Sequence, residues 1–183
     1  MDGRSAAHCR SPRSDCLRRA TVASSHPQRD HYPRRCQQVS SVDNHARALL
    51  MRRHRWIVDT IGLESPGGIV EHGEDPLECA RRELLEETGF EIGPLELIAN
   101  LEPMPGLVQT RHLVFLGRDP RQAADPTDGE EASELVWIPL SHTAQLLACG
   151  ELLGTGTAVG MLTAAAILAR SAILESEPRN DTT

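Results

Sequence analysis

The sequence predicts an α/β fold in which helices cover a sheet, although an α+β arrangement of the same elements stays open. Strand-like and helix-like stretches alternate along the chain, separated by glycine and proline turns. The strand-like stretches are residues 46–51, 95–101 and 107–116, and the main helix-like stretches are residues 76–88 and 157–174. Because the two kinds of element interleave, we expect the helices to lie against the faces of one sheet.

The remaining boundaries follow from local composition. Residues 66–68 form a proline–glycine turn, and residues 119–132 form an acidic loop. Residues 135–138 are predicted to be a short strand that ends at Pro139. Further upstream, residues 36–45 contain few apolar side chains, so a strand there is predicted to be poor.

Formal charge is spread unevenly along the chain. Residues 1–55 contain 12 arginines and four aspartates, a charge of +8, whereas residues 56–183 contain the other seven arginines and 22 acidic residues, a charge of −15. An acidic body does not bind nucleic acid by releasing counterions from the phosphate backbone, so no nucleic-acid partner is expected. If this body binds phosphate groups, it needs a metal ion to reverse the local charge.

Composition also divides the chain into three parts. Residues 1–38 are rich in Arg, Ser, His and Pro, which predicts a disordered arm, with a transit peptide and a nucleic-acid-binding arm as alternatives. Residues 39–174 are assigned to the folded domain and residues 175–183 to a frayed tail. The five cysteines form no CxxC pair, and no apolar run of membrane-spanning length is recognised. We therefore expect a soluble, cytoplasmic protein without a membrane partner.

Local signals define the helix at residues 76–88. Asp75 is a favourable N-cap, Pro76 suits the first helical position, and Glu78 completes a capping box. Gly89 supplies the left-handed residue that commonly ends a helix. The apolar residues of this helix share one stripe, which is predicted to face the core: Leu77, Ala80 and Leu84.

Three glutamates, Glu83, Glu86 and Glu87, lie on an adjacent arc of the same helix. Like charges three and four residues apart repel each other, and the helix dipole favours cations in the C-terminal half of a helix. A solvated face would more naturally carry arginine there. Carboxylates that are grouped despite their mutual repulsion and the helix dipole indicate a bound divalent cation. Hard oxygen ligands of this kind suit Mg²⁺.

The stretch from Gly68 to Phe90 resembles the Nudix box, G-x5-E-x7-R-E-U-x-E-E-x-G-U, in which U is a bulky apolar residue. Every defined position matches, and the matching residues are Gly68, Glu74, Arg82, Glu83, Leu84, Glu86, Glu87, Gly89 and Phe90. The resemblance extends over roughly residues 46–174. It implies the Nudix α/β/α sandwich, a mixed sheet between helices.

The resemblance also implies roles for these residues. Arg82 would pair with Glu74 and hold the loop against the helix. A metal-bound water would attack phosphorus in line, and its base would come from the helix or from a later loop, where the candidates are Glu130 and Glu131, with Glu134 behind them. The implied ligands of Mg²⁺, or of Mn²⁺ in its place, are the carbonyl of Gly68 and the carboxylates of Glu83, Glu86 and Glu87.

Residues outside the box resemble the ADP-ribose and nucleotide-sugar pyrophosphatases. The implied substrate contacts are Arg53, Arg55, Glu64, Pro105 and Gly106, which match that subgroup's arginine, glutamate and proline positions. The implied reaction hydrolyses the diphosphate of ADP-ribose or a nucleotide sugar to a nucleoside monophosphate and a sugar phosphate. A nucleoside-triphosphate pyrophosphatase and a non-catalytic nucleotide-sensing domain are the alternatives, and a homodimer stays open.

The sequence departs from the family pattern in three places. Gln109 and Thr110 follow the proline and glycine where an acid is common, so one substrate contact is expected to differ. Leu63 stands where the subgroup has tryptophan and Ser65 replaces an apolar residue, so contacts to adenine or to the sugar are expected to differ. Nudix domains also begin with apolar strands, whereas residues 36–45 make a poor one, so the true first strands are expected to be lost, degraded or replaced by the Arg-rich arm. His72 and His112 are isolated in the sequence and are predicted to be structural or exposed.

Overall fold

The computed structural model describes residues 34–127 and 134–176, so most of the predicted arm, most of the predicted tail, and both Glu130 and Glu131 lie outside the described residues. The strands are β1 (Arg34–Val42), β2 (Arg47–Arg55), β3 (Thr60–Glu64), β4 (Phe90–Glu91), β5 (Leu95–Leu101), β6 (Thr110–Arg118), β7 (Arg121–Gln122) and β8 (Glu134–Pro139). The helices are α1 (Pro76–Thr88), α2 (Thr143–Ala148) and α3 (Thr155–Ser176), and a short 3-10 turn (Leu140–His142) precedes α2.

One mixed sheet forms the centre of the domain. Its main path runs β3-β2-β1-β6-β5, and β8 pairs with β2. β1 and β6 are parallel over their full lengths, whereas the other pairings within this sheet are antiparallel. β4 and β7 form a separate two-stranded ribbon. The mixed sheet predicted from the family resemblance is confirmed.

β1 is the strand that the sequence predicted to be poor, and this prediction was wrong. It begins at Arg34, within the stretch that the sequence assigned to the arm, and it lies between β2 and β6. Its polar side chains are buried, since Gln37, Ser40 and Ser41 are at most 1% exposed. A strand is held by its backbone N–H and C=O groups, which do not depend on apolar side chains. The nine-residue ladder with β6 therefore compensates for the polar composition.

β1 also anchors the turn that follows β3. The Gln37 N–H donates to the Gly68 carbonyl oxygen at 3.0 Å, and the Val39 N–H donates to the Pro66 carbonyl oxygen at 2.9 Å. Gly67 lies so close to β1 that a Cβ built on it would overlap the Gln37 carbonyl oxygen. The first strand is therefore intact, and it fixes the position of the glycine turn.

Helices cover both faces of the sheet. Neighbouring residues of a strand point to opposite faces, and Phe115 belongs to the buried cluster beneath α1 whereas Leu116 belongs to the buried cluster beneath α3. Ala80 and Leu84 of α1 are fully buried against the first face, and Met161 and Ala164 of α3 are fully buried against the second. The predicted apolar stripe of α1 and the predicted α/β/α layers are both confirmed.

The strands depart from the prediction in several places, since β2 continues to Arg55 rather than ending at residue 51. β3 was not predicted, and it forms because residues 60–64 pair with the end of β2 as a hairpin. β6 begins at Thr110 rather than at residue 107, since Leu107 lies in a turn and its N–H donates to the Met104 carbonyl oxygen at 2.9 Å. Leu107 and Val108 thus belong to an exposed loop.

α3 is more apolar than the sequence analysis recognised. Nineteen of its residues, Thr155–Ile173, are long and apolar enough by length and composition to cross a membrane, which corrects the expectation that no such run exists. One helix of this kind is weak evidence for a membrane span, because the core helix of a soluble protein passes the same test. Met161 and Ala164 show that this helix packs on the sheet.

Candidate active site

α1 begins and ends at the residues that the capping signals in the sequence predicted. The Asp75 side chain accepts a hydrogen bond from the Leu77 N–H at 2.7 Å, and Pro76 occupies the first helical position. Gly89 ends the helix with a φ of 73°, in the left-handed region, and its N–H donates to the Leu85 carbonyl oxygen. With both ends fixed, the register of the helix fixes the direction of each glutamate.

Glu87 is the most deeply buried of the three helix glutamates. Its Oε2 accepts a hydrogen bond from the Gly67 N–H at 2.7 Å, and its Oε1 accepts one from Arg53 Nη2 at 2.8 Å. The side chains of Glu87 and Arg53 are 8% and 6% exposed. Burial raises the pKa of Glu87, and the hydrogen bond from Arg53 opposes that rise. The carboxylate thus joins the helix, the glycine turn and β2.

Arg82 connects the other carboxylates. Its Nε donates to Glu74 Oε1 at 3.0 Å, and its Nη1 donates to Glu83 Oε1 at 2.9 Å and to Glu86 Oε2 at 3.0 Å. The hydrogen bond from Arg82, together with one from the Glu71 N–H, lowers the pKa of Glu74 to about 2. The same ion pairs raise the pKa of Arg82. The structure therefore contains the pair of Arg82 with Glu74 that the family resemblance implies.

Gly68 lies directly against Glu83. A Cβ built on Gly68 would overlap the Glu83 carboxylate, so a larger residue would displace that side chain. Burial raises the pKa of Glu83, and the charge of Arg82 opposes that rise. The Gly68 carbonyl oxygen accepts one hydrogen bond from Gln37 and has a second lone pair. Gly68 and the Glu83 carboxylate are therefore neighbours, and the Gln37 N–H fixes the Gly68 carbonyl oxygen.

The donor set fits a divalent cation in its chemistry. Every candidate ligand is a hard oxygen, the type that Mg²⁺ and Mn²⁺ prefer. Within residues 34–127 and 134–176, no three acidic, His or Cys side chains are gathered as a complete metal-ligand set. The contacts above give the reason, since Arg82 holds Glu83 and Glu86 while Arg53 holds Glu87. The two arginines neutralise the carboxylates in this arrangement.

The predicted substrate contacts divide into two groups. Arg55 and Glu64 form a bidentate ion pair across the β2–β3 hairpin, with the shortest nitrogen–oxygen distance at 2.6 Å. Arg53 contacts Glu87 of α1 rather than standing open to solvent. Pro105 and Gly106 lie in an exposed loop between β5 and β6. The arginines and Glu64 are therefore part of the framework around α1 and β2, and the proline loop is at the edge of the sheet.

Cys79 is a residue of this site that the sequence pattern did not single out. Its Sγ accepts a hydrogen bond from Arg82 Nη2 at 3.3 Å and donates to the Ile69 carbonyl oxygen at 3.6 Å. Burial and the neighbouring Glu74 raise the pKa of this thiol to about 12, so it stays protonated. The signal in the sequence was its position three residues before Arg82, which places both side chains on one side of the helix.

The domain is an α/β/α sandwich, and one of its covering helices carries three glutamates beside a glycine turn. These features define a domain of the Nudix class. The chain belongs to the Nudix family, because the NUDIX domain model of that family matches residues 38–150. Nudix enzymes generally use divalent metal ions.

Comparison with characterised proteins adds more detailed similarities. A CMP-5'-(N-acetyl-N-hydroxy-3-aminopropyl)phosphonate hydrolase of Streptomyces rubellomurinus is 39% identical over 108 residues, which cover 59% of this chain and 52% of that protein. A GDP-mannose pyrophosphatase of Klebsiella pneumoniae is 30% identical over 128 residues, covering 59% of this chain and 64% of that protein. The chain thus spans between about half and just under two thirds of these relatives. A crystal structure of an ADP compounds hydrolase shares the fold, with a TM-score of 0.68 and 21% identity over 76% of this chain and 75% of that one.

Proposed function

We propose that this domain hydrolyses the diphosphate linkage of a nucleoside-diphosphate-linked compound in the presence of Mg²⁺ or Mn²⁺. The compound is ADP-ribose or a nucleotide sugar, and the products are a nucleoside monophosphate and a sugar phosphate. The observation that carries the proposal is the convergence of Glu83 and Glu87 on the Gly67–Gly68 turn, with Glu86 beside them. The similarity to a GDP-mannose pyrophosphatase supports the substrate class.

The residues that would hold the ion are the Gly68 carbonyl and the carboxylates of Glu83, Glu86 and Glu87. When bound, a divalent ion supplies Lewis-acid stabilisation of the charge that develops on the phosphoryl oxygens. The acidic character of residues 56–183 makes this compensation necessary, because a −15 body would otherwise repel a diphosphate.

The arginines and the turn orient the carboxylates before substrate arrives. Arg53 and the Gly67 N–H fix both oxygens of Glu87, so the side chain has little rotational freedom. Arg82 ties Glu74 of the loop to the helix, and Cys79 adds a contact to the same guanidinium. Partners of this kind orient the ligands and commonly change metal affinity or activity when they are removed.

Two groups are candidates for the base that takes a proton from the attacking water. Burial raises the pKa of Glu83 above its ordinary value, and a general base works best when its pKa approaches the working pH. Glu131, with Glu130 before it, is the loop candidate. The Thr127 N–H donates to the Glu86 carbonyl oxygen at 3.0 Å, so the loop starts at the C-terminal half of α1.

The relative from Streptomyces rubellomurinus adds cytidine compounds as a second substrate class to be tested. That protein is named for a substrate in which CMP is joined to a phosphonate, and it is 39% identical to the matched part of this chain. Leu63 and Ser65, which replace the subgroup's usual residues, are both buried near the turn. We therefore include cytidine compounds beside adenosine and guanosine compounds.

The test is a hydrolysis screen with Mg²⁺ and with Mn²⁺. The panel contains ADP-ribose, GDP-mannose, a CMP-linked phosphonate and the deoxynucleoside triphosphates. We expect nucleoside monophosphate from at least one diphosphate-linked compound, with the activity lost in a chelator. Release of pyrophosphate from triphosphates alone would instead support a triphosphate pyrophosphatase, and no turnover with any compound would support a sensing domain.

A matched pair of variants on one helix provides the control. Glu86→Gln removes a proposed ligand, so turnover should fall by about 10²-fold or more. Glu78→Gln changes an exposed glutamate in the first turn of α1, away from the glycine turn, and turnover should stay unchanged. Equal activity of the two variants would contradict the assignment of the site.

A further inference from the structure

The guanidinium of Arg82 contacts two different sets of carboxylates. Its Nε donates to Glu74 Oε1 at 3.0 Å and its Nη2 donates to Glu74 Oε2 at 3.3 Å, so this pair is bidentate. Its Nη1 donates to Glu83 Oε1 at 2.9 Å and to Glu86 Oε2 at 3.0 Å. A further hydrogen bond runs from Nη2 to Cys79 Sγ. All five N–H groups of the guanidinium therefore have acceptors.

The family resemblance accounts for only one of these two sets. It implies the pair of Arg82 with Glu74, which holds the loop against the helix through Nε and Nη2. That role does not need Nη1 to contact Glu83 and Glu86. These two carboxylates are proposed ligands of the divalent ion, and they already bind one cation, the guanidinium.

The guanidinium and a divalent ion would lie too close together to be bound independently. Mg²⁺ binds carboxylate oxygens at about 2.1 Å, so an ion on the oxygen of Glu83 that accepts from Nη1 would lie at most about 5 Å from that nitrogen. At this separation the two cations repel each other, and even the dielectric constant of water leaves a penalty of about tenfold in the binding constant. Glu83 and Arg82 are only 17% and 34% exposed, so solvent screens the repulsion incompletely.

We propose that Arg82 competes with the divalent ion for Glu83 and Glu86, and that its pair with Glu74 keeps the guanidinium in place while Nη1 releases them. The proposal rests on the function proposed above, from which it takes the metal ligands. It gives Arg82 two opposite effects on the site. The pair with Glu74 orients the loop, whereas the contacts of Nη1 lower the affinity for the ion.

Substitution of each partner in the pair of Arg82 with Glu74 should change metal affinity in opposite directions. Arg82→Gln removes the competing cation, so Mn²⁺ should bind about tenfold more tightly. Glu74→Gln removes the carboxylate that offsets the charge of Arg82, so Nη1 should hold Glu83 and Glu86 more firmly and Mn²⁺ should bind more weakly. If the pair served only to hold the loop, both variants would break the same contact and both would weaken binding.

Arg81, the neighbouring arginine on α1, provides the matched control. Its side chain is 35% exposed, against 34% for Arg82, and its Nη1 donates to the carbonyl oxygens of Ile92 and Gly93 rather than to a proposed ligand. Arg81→Gln removes the same formal charge from the same helix. We expect its effect on Mn²⁺ affinity to be much smaller than that of Arg82→Gln.

Titration with Mn²⁺ alone measures these affinities in the absence of substrate. The paramagnetic resonance signal of the free ion reports how much Mn²⁺ is bound, and circular dichroism checks that each variant is folded. Unchanged or weaker binding by Arg82→Gln overturns the competition. Equal tightening in Arg81→Gln also overturns it, because the effect would then be one of overall charge. The same holds if neither the wild type nor any variant binds Mn²⁺.

A measurement on the unaltered protein keeps the proposal testable if Arg82→Gln does not fold. In NMR spectra of protein labelled in its arginines, hydrogen bonds to Glu83 and Glu86 slow the rotation of the Nη1 amino group of Arg82. Saturating Mg²⁺ should speed up this rotation, while the Nε proton, which stays bonded to Glu74, keeps its protection from exchange with water. Slow rotation at Nη1 that persists in saturating Mg²⁺ overturns the proposal.

Failure of the competition and failure of the proposed function give different results. If Mn²⁺ affinity changes as expected in the three variants while no diphosphate-linked compound is hydrolysed, the proposed function fails and the competition stands. If hydrolysis proceeds while Arg82→Gln binds Mn²⁺ with the affinity of the wild type, only the competition fails.

Discussion

Replacement of Glu87 by glutamine separates the role of this residue in the metal site from its role in the fold. Both carboxylate oxygens of Glu87 accept hydrogen bonds, one from Arg53 and one from the Gly67 N–H. Glutamine keeps one acceptor oxygen and replaces the other with an NH₂ donor. Whichever way the amide turns, a donor then faces another donor, and Arg53 loses its anionic partner in this pair.

The structure gives the expected size of both effects. Because Glu87 and Arg53 are 8% and 6% exposed, the variant breaks a buried ion pair, which typically costs about 3–5 kcal/mol. We expect a loss of unfolding free energy at the lower end, about 3 kcal/mol, since Glu87→Gln retains one hydrogen bond. Loss of a metal ligand should lower kcat by several orders of magnitude.

Urea unfolding and turnover at saturating Mg²⁺ are the two assays, and Glu86→Gln is the control. Glu86 is 47% exposed and its side chain contacts Arg82 in an ion pair open to solvent. Exposed pairs contribute at most about 1 kcal/mol, so Glu86→Gln should lose activity and keep its stability. Near-wild-type turnover of Glu87→Gln in saturating Mg²⁺ would refute the metal assignment. An unfolding free energy equal to that of the wild type would refute the buried-pair argument.

Three further predictions concern the loop, the Arg82 pair and the first strand. If Glu131 is the base, Glu131→Gln should lower the hydrolysis rate roughly 10²–10⁴-fold and leave metal affinity unchanged. If Glu131→Gln keeps the wild-type rate and Glu130→Gln does not, the base is Glu130. If both variants keep the wild-type rate, Glu83 on the helix is the remaining candidate. The pKa of Glu74 is lowered to about 2, so its pair with Arg82 stabilises the fold fully above pH 4.5 and loses this effect as the pH falls toward 2. In Glu74→Gln, the unfolding free energy should therefore depend less on pH over that range. A chain that starts at Arg34 should fold and show the full chain's activity. A chain that starts at Val39 lacks the hydrogen bond from Gln37 to Gly68 and should be less active. Strong amide-exchange protection within residues 5–30 would instead show that the arm belongs to the core.

The sequence determined those features whose causes are local. α1 begins at a hydrogen bond to the Asp75 side chain and ends at the left-handed backbone of Gly89, and both features depend only on neighbouring residues. The spacing of Glu83, Glu86 and Glu87 sets three carboxylates on one arc of that helix wherever the helix is placed. The same spacing carried the family assignment, which the domain match over residues 38–150 confirmed.

Only the tertiary structure decided how the strands pair and what each carboxylate contacts. β1 forms from a polar segment because β6, 76 residues later in the register, supplies a complete parallel ladder, and no local pattern contains that information. Arg53 lies 34 residues before Glu87, and the fold alone brings them together. Burial and pairing depend on long-range contacts, so a strand of low apolar content becomes visible only after the sheet has formed.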